Sequence, residues 1–313
     1  MNADDNPESA PRLLVAGDAD VRLRLDRFLA RRLGISRVEA RRLLAEGRVA
    51  RDGHPLALRH KGLALTASDA ISVSGFVPPR ERRPLATPEA ALTVLAAGEG
   101  WVAVDKPSGC PVHPLRADQV GTVLNAALAR WPEMMGVGEG GLRSGVVHRL
   151  DVDTSGVLLL ATREEAWRRL RDLFAAHRVE KVYRAIVLGR VDREGTIELP
   201  LRVARSRPAR VVVSARANAR DARACTLSWR PLAPLRGATL VEARPVTGFL
   251  HQVRVTFAHL GWPLAGDRLY GPATDDTGAT RHMLHAARLA LAGIDAACPD
   301  AADFAALLAK FRL

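Results

Sequence analysis

The sequence predicts an α+β protein in two parts, a small module of helices and strands followed by a larger domain built on a mixed, largely antiparallel sheet. Three observations predict it. Short apolar, partly β-branched runs recur with mostly short connections, helix candidates with marked ends alternate with them, and one charged, proline-rich stretch separates the parts.

Residues 1–21 read as a flexible leader, polar and acidic at its start. After it, Leu25, Phe28, Leu29 and Leu33 recur at helical spacing among arginines, which predicts a basic amphipathic helix. Ser36 and Glu39 have the spacing of a capping box for a second helix carrying Leu43 and Leu44, and Gly47 sits where a left-handed residue would stop it. Val49 opens a strand, Asp52-Gly53 signals a hairpin, and the run from Asp69 to Val73 closes a small β unit, so the module spans 22–76. Residues 77–90, with Pro78-Pro79-Arg80-Glu81-Arg82-Arg83-Pro84, read as an extended linker, and 91–313 as the second domain.

In that domain strand-like runs fall at 92–95, 101–104, 146–147, 157–160, 181–188 and 239–243. Thr162 and Glu165 have capping-box spacing for a helix with Leu170, Leu173, Phe174 and His177 on its inner stripe. Alternation along the next strand places Tyr183, Ala185 and Val187 on one sheet face. After a turn at Thr247-Gly248, Val253, Phe257 and Leu260 form the core stripe of another helix, with Gly261 beyond its end.

The chain has 313 residues, 48% of them hydrophobic, enough for a sizeable core. Lys and Arg number 46 against 34 Asp and Glu, a formal charge of +12, which points to a polyanionic partner, nucleic acid first. An Arg-rich, Ala-rich composition also reflects a GC-rich genome, but that does not explain the net excess. Arg31, Arg32, Arg37, Arg41, Arg42 and Arg48 are placed to track phosphates along one face; the competing reading is a solvated helical face. Cys110, Cys225 and Cys298 are widely spaced and form no CxxC pair, which fits a reducing cytoplasm. No apolar run reaches membrane-spanning length, and no export signal is visible.

The most informative stretch is His148-Arg149-Leu150-Asp151-Val152-Asp153-Thr154-Ser155-Gly156, carboxylates in a turn between two apolar runs. Asp151 is the candidate catalytic residue; the competing reading is an ordinary Asx turn, which suits Asp153 better. Arg254 lies among apolar neighbours, where a guanidinium is costly unless it meets a carboxylate, and Asp151 is one available partner. An exposed Arg head on a buried stem is the other reading.

The first module resembles the RNA-binding domain typified by small-subunit ribosomal protein four, through Arg24-Leu25-Asp26-Arg27-Phe28-Leu29, Ser36-Arg37 and Gly47-Arg48-Val49-Ala50-Arg51-Asp52-Gly53. The larger domain resembles an RluA-type pseudouridine synthase. That likeness rests on Asp105-Lys106-Pro107-Ser108-Gly109 with Val112-His113-Pro114, on His148 to Gly156, on Lys181-Val182-Tyr183, on Thr247-Gly248 with His251-Gln252-Val253-Arg254, and on Gly266-Asp267 with Leu269-Tyr270-Gly271. It implies a pseudouridine synthase catalytic domain behind a small α/β RNA-binding domain.

By this resemblance Asp151 is the essential aspartate, Tyr183 the tyrosine that stacks on the target base and helps proton removal, and Arg254 the arginine paired with the aspartate. His148, Thr154, Ser155, Gly156 and Leu284 are expected to shape the site, and Arg149 is the candidate RNA contact there, with loop shaping as its other reading. Such enzymes detach uracil from ribose, turn it and rejoin it through carbon five, so neither cofactor nor metal is expected. The expected partner is structured RNA, ribosomal RNA of the large subunit first and transfer RNA second, acted on by a monomer. Phe249 and Leu250 stand where many relatives have Arg and a small polar residue, and Asp105 where Asn is common. Two rival readings remain: a non-catalytic RNA-binding or ribosome-assembly factor, and a metal-dependent hydrolase using Asp151, Asp153 and histidines such as His282 and His285.

Overall fold

The computed structural model describes residues 11–206, 209–216 and 219–312. It divides into two compact units, the first running through Leu85 and taking in Leu115–Gln119 and Gly140–Leu142, the second holding the remainder.

The first unit contains β1 (Arg12–Val15), α1 (Leu25–Leu33), α2 (Arg37–Ala45), β2 (Val49–Arg51), β3 (His54–Leu56) and β4 (Ala70–Val73), with an antiparallel sheet in the order β1-β4-β2-β3. Ser36 caps α2 by accepting the Glu39 N–H at 3.2 Å, and Gly47 follows the helix with φ +69°. Asp52 and Gly53 both take positive φ, as a two-residue hairpin between β2 and β3 requires. Leu25, Phe28, Leu29, Leu44, Val49, Ile71 and Val73 are all buried in one core.

The flexible leader expected over residues 1–21 is corrected in part. Arg12–Val15 is a strand paired to β4, with Leu14 reaching the core and Leu13 and Val15 left exposed, in a segment too short to show alternation. The first ten residues of that leader lie outside the described residues. The expected extended linker also differs, since Glu81 N–H closes a turn on the Pro78 carbonyl and Arg82 pairs with Glu39.

At the centre of the first unit the fully buried carboxylate of Asp26 receives Arg24, Arg37 and Arg41. Burial alone would push Asp26 up, but the hydrogen bonds from Arg41, Arg24 and Arg37 together outweigh it and hold the carboxyl down at about 2.

The second unit adds β5 (Thr93–Gly98), β6 (Trp101–Lys106), α3 (Val123–Arg130), β7 (Ser155–Ala161), α4 (Glu164–Ala175), β8 (Glu180–Leu188) and β9 (Gly195–Ser206). It continues through β10 (Ala209–Val213), β11 (Arg223–Leu235), β12 (Ala238–Pro245), α5 (Gln252–His259), β13 (Leu284–Leu291), β14 (Ile294–Ala297) and α6 (Ala302–Phe311). The sheet order is β10-β9-β11-β12-β8-β13-β7-β6-β5, with β14 on β13; only the β13–β7 pair is parallel among the described residues. Every residue of β7 is buried, Leu158 and Leu160 facing one core and Val157, Leu159 and Ala161 the other, which is why its sequence from Val157 on is an unbroken apolar run.

Two element expectations fail locally. The run 146–147 makes only an isolated bridge from Val146 to Leu160, because side chains of α4 take its carbonyls: Trp167 Nε1 donates to Val146 at 3.0 Å and Arg171 to Val147 at 2.8 Å. The capping box at Thr162 is absent: α4 is capped at Arg163 without a side-chain bond, while the Thr162 N–H meets the Gly100 carbonyl at 2.8 Å. His177 lies past the helix end, exposed, with φ +55°.

Because the folded carboxyl of Asp26 titrates below the ordinary 3.8, its contribution to stability is complete above about pH 4 and is lost as pH falls through about 2. Thermal melts of wild type and Asp26→Asn should therefore differ most near neutrality and converge toward pH 2.

Candidate active site

Asp151 projects from a tight turn in which the Thr154 N–H donates to the Asp151 carbonyl at 3.1 Å, with Leu150 anchored in the core on one side and β7 on the other. Two buried cations hold the turn's next two carbonyls. Lys106, at the end of β6 and fully buried, donates from Nζ to Val152 at 2.7 Å and to Pro107 and Cys110 at 2.8 Å each. Arg281 donates to the Asp153 carbonyl at 2.9 Å and to Ser155 Oγ at 3.0 Å, and its charge is met by Asp303 of α6. Burial pushes the Lys106 ammonium down to about 8, so it keeps its proton at neutral pH.

The Asp151 side chain faces Arg254 in the first turn of α5, with Nη1 3.0 Å from Oδ2. Asp267 grips the other edge of the same guanidinium, Nε to Oδ2 at 2.7 Å and Nη2 to Oδ1 at 2.9 Å. Asp267 also accepts the N–H groups of Leu269 and Tyr270, so its oxygens are satisfied without water. Its side chain is 0% exposed and that of Arg254 9%, against 20% for Asp151, which makes Asp151 the open end of the chain of charges. Burial would push Asp267 up, but the Arg254 hydrogen bonds and charge hold it down; burial would lower Arg254, and Asp267 then Asp151 raise it.

Tyr183 lies on β8 between Ala286 of β13 and Ala243 of β12, and packs with Ala185 and Val187. Burial, then the Asp151 charge, pushes its phenol up, so the ring is neutral at physiological pH. The structure thus joins Asp151 and Arg254 in direct contact and sets Tyr183 within the field of the same carboxylate.

Most of the flanking residues are engaged. His148 stacks on Phe174 at 4.8 Å and its Nε2 accepts the Leu159 N–H at 3.0 Å; burial pushes the imidazole down to about 3, which leaves it neutral as that acceptance requires. Thr154 Oγ1 meets His282 Nε2 at 2.9 Å and Ser155 Oγ meets His285 Nδ1 at 3.0 Å. Gly156 takes φ +110°, and a Cβ there would come within 2.3 Å of the Ala286 carbonyl oxygen, so the β7–β13 approach excludes a side chain. Leu284 is buried and its carbonyl accepts from Arg281 at 3.1 Å. Arg149 is exposed. Phe249 and Leu250 pack against the core of Leu199, Leu201, Val211 and Val255.

In the first unit, Arg31 pairs with Asp20, Arg32 donates to the Val15 carbonyl at 2.9 Å, Arg37 and Arg41 share Asp26, and Arg42 and Arg48 share Glu46. Their side chains remain accessible, 58% for Arg42 and 51% for Arg31.

Sequence reasoning assigned no role to Asp267, Lys106 or Arg281. The signal for Asp267 was present in the buried position of Arg254, whose fork has room for two carboxylates. Among the described residues no group of three His, Cys, Asp or Glu side chains is placed to hold a metal ion, and no helix is long and apolar enough to cross a membrane.

Residues 100–259 match the model of the RNA pseudouridylate synthase family. The chain belongs to that family. Residues 23–57 match the S4 domain. An RNA pseudouridine synthase of Chloroflexus aurantiacus is 36% identical over 286 residues, 91% of this chain and 86% of its own. The ribosomal large subunit pseudouridine synthase D of Zymomonas mobilis is 35% identical over 276 residues, 85% of this chain and 84% of its own. Among solved structures, human RNA pseudouridylate synthase domain containing 4 superposes with a TM-score of 0.57 at 23% identity, covering 70% of this chain and 92% of that one, a likeness of fold. As a member of the family this pseudouridine synthase is an α+β isomerase with RNA as its substrate class.

Replacing Asp267 by Ala leaves a buried guanidinium short of its bidentate partner and should lower unfolding stability by about 3 kcal/mol. Denaturant titration of the two proteins measures it, and Asp267→Asn, which keeps shape but not charge, should fall between them.

Proposed function

We propose that this pseudouridine synthase acts on structured large-subunit ribosomal RNA in the cytoplasm as a monomer, with Asp151 as the reacting carboxylate. The observation that carries this reading is the Arg254 bridge, in which one guanidinium fixed by Asp267 presents Nη1 to Asp151 Oδ2 at 3.0 Å. That bond fixes the Asp151 carboxylate in one orientation and sets a positive charge beside it. The ionised Asp151 then attacks the anomeric carbon, or takes the proton from the neighbouring sugar carbon, and the bond from ribose to the base nitrogen breaks with its electron pair on the uracil. Uracil turns and its carbon five bonds to the anomeric carbon as the Asp151 ester bond breaks with its electron pair returning to the carboxylate, or, by the second route, as Asp151 gives its proton back to the sugar carbon; the proton on carbon five then leaves and the freed ring nitrogen gains one. Atoms and electrons balance without an oxidant.

The target base leaves its stack at a cost of roughly a few kcal/mol, and the Tyr183 ring offsets about 1–3 kcal/mol of it. Burial and the Asp151 charge keep the Tyr183 phenol protonated, so the resting site holds no phenolate. Arg149, exposed beside Asp151, is suited to a backbone contact, and His148, Thr154, Ser155, Gly156 and Leu284 shape the turn. The accessible arginines of the first unit, Arg31, Arg32, Arg37, Arg41, Arg42 and Arg48, suit salt-dependent phosphate contacts. The choice of ribosomal RNA is supported by the relatives named for the large ribosomal subunit.

Tritium release from RNA labelled at uracil carbon five tests the reading. Asp151→Asn should reduce release by roughly four orders of magnitude, the scale of losing a group that acts as part of a unit, while RNA affinity is largely kept. No release by the wild-type protein from any cellular RNA fraction would favour a non-catalytic RNA binder. Mapping pseudouridines in total RNA with and without the protein should place the missing ones in large-subunit ribosomal RNA.

A further inference from the structure

The reaction as derived leaves one buried-edge imidazole unused. His251 is the residue before α5, held with φ +54°, a conformation uncommon for a non-glycine residue. Its Nδ1 lies 2.8 Å from the Tyr270 hydroxyl, and its Nε2 lies 3.9 Å from Asp151 Oδ2.

Hydrogen counting favours a proton on Nε2. The Tyr270 oxygen already accepts the Val211 N–H at 2.9 Å, so its own hydrogen needs an acceptor, and His251 Nδ1 is the acceptor in reach. A neutral imidazole that accepts at Nδ1 carries its hydrogen on Nε2, the atom turned toward Asp151. Tyr270 is itself fixed, since the Arg254 guanidinium lies 5.2 Å over its ring and its N–H is held by Asp267. Both donors, Arg254 Nη1 and His251 Nε2, address Oδ2 of Asp151, and no hydrogen bond reaches Oδ1 among the described residues.

We propose that His251, locked by Tyr270 as its Nε2–H tautomer, is a positioning residue that turns Asp151 so that Oδ2 is held and Oδ1 faces the ribose. This rests on Asp151 being the reacting carboxylate. At 3.9 Å the interaction is that of a dipole with a charge. Burial pushes the imidazole down, Asp151 and Asp267 oppose this, and Arg254 and Arg149 reinforce it, so the ring is neutral. A neutral donor orients the carboxylate without adding a second positive charge that would blunt its attack.

The test combines a spectrum with kinetics. Long-range ¹H–¹⁵N NMR of histidine-labelled wild-type protein should show His251 protonated on Nε2 and bare on Nδ1 at neutral pH, and Tyr270→Phe should abolish that preference. His251→Asn should lower kcat roughly tenfold, the worth of one oriented hydrogen bond, with KM within about twofold; His251→Gln, whose amide nitrogen reaches toward the Nε2 position, should recover most of the loss. Thermal melts confirm that the variants are folded. An Nδ1–H or charged ring in the wild-type spectrum, an unchanged kcat in folded His251→Asn, or a rise in KM alone would overturn the proposal. If Asp151→Asn is inactive while both His251 variants are normal, only this inference fails; if Asp151→Asn is active, the reading of Asp151 falls with it.

Discussion

The guanidinium of Arg254 joins three stretches of chain that are distant in sequence. Its Nη1 meets Asp151, its other edge meets Asp267, and its stem rides on α5 among Val253, Val255 and Phe257. A buried arginine with one carboxylate would be satisfied on one edge only. Two carboxylates of unequal exposure produce a polarity: Asp267 is sealed and structural in its bonding, and Asp151 is left with one free oxygen and access to solvent. Remove the sealed partner and the exposed one must do both jobs. The bonds that orient Asp151 are therefore also those that place α5 against the Asp151 turn.

The turn itself is held from below by charge as much as by packing. Successive carbonyls at Val152 and Asp153 point at Lys106 and Arg281, so the backbone that carries Asp151 is fixed on both sides before any substrate arrives. Burying two cations would be prohibitive if they were unpaired. Lys106 is satisfied by three carbonyls, and Arg281 by carbonyls, a hydroxyl and the Asp303 carboxylate. The surrounding strands need only be apolar and rigid, which is what the unbroken run of β7 supplies.

Periodicity and turn chemistry made most of the elements legible. The Ser36 cap, the Asp52-Gly53 hairpin, the stripe of Val253 and Phe257 and the shared face of Tyr183, Ala185 and Val187 all follow from local rules, and the structure has them. The partner of Arg254 was half legible: burial among apolar neighbours demanded a carboxylate and Asp151 was available, but nothing local marked Asp267 as the second. The roles of Lys106, though it stands in a motif, and of Arg281 were not legible, since all three bonds of Lys106 and three of those of Arg281 go to main-chain carbonyls, which every residue carries. Strand 146–147 and the Thr162 cap were misread because Trp167, Arg171 and Gly100 satisfy those backbone groups from elsewhere in the chain. Arg12–Val15 escaped notice because four residues with one buried leucine are below the length at which alternation can be read.

The bond between Arg281 and Asp303 couples two distant parts of the chain. Positions 153–155 are fastened by a side chain 126 residues later in the case of Ser155, and that side chain is neutralised by a carboxylate another 22 residues on. Undocking α6 therefore strips a buried guanidinium of its counter-charge, so the order of the Asp151 turn and the seating of α6 are energetically linked.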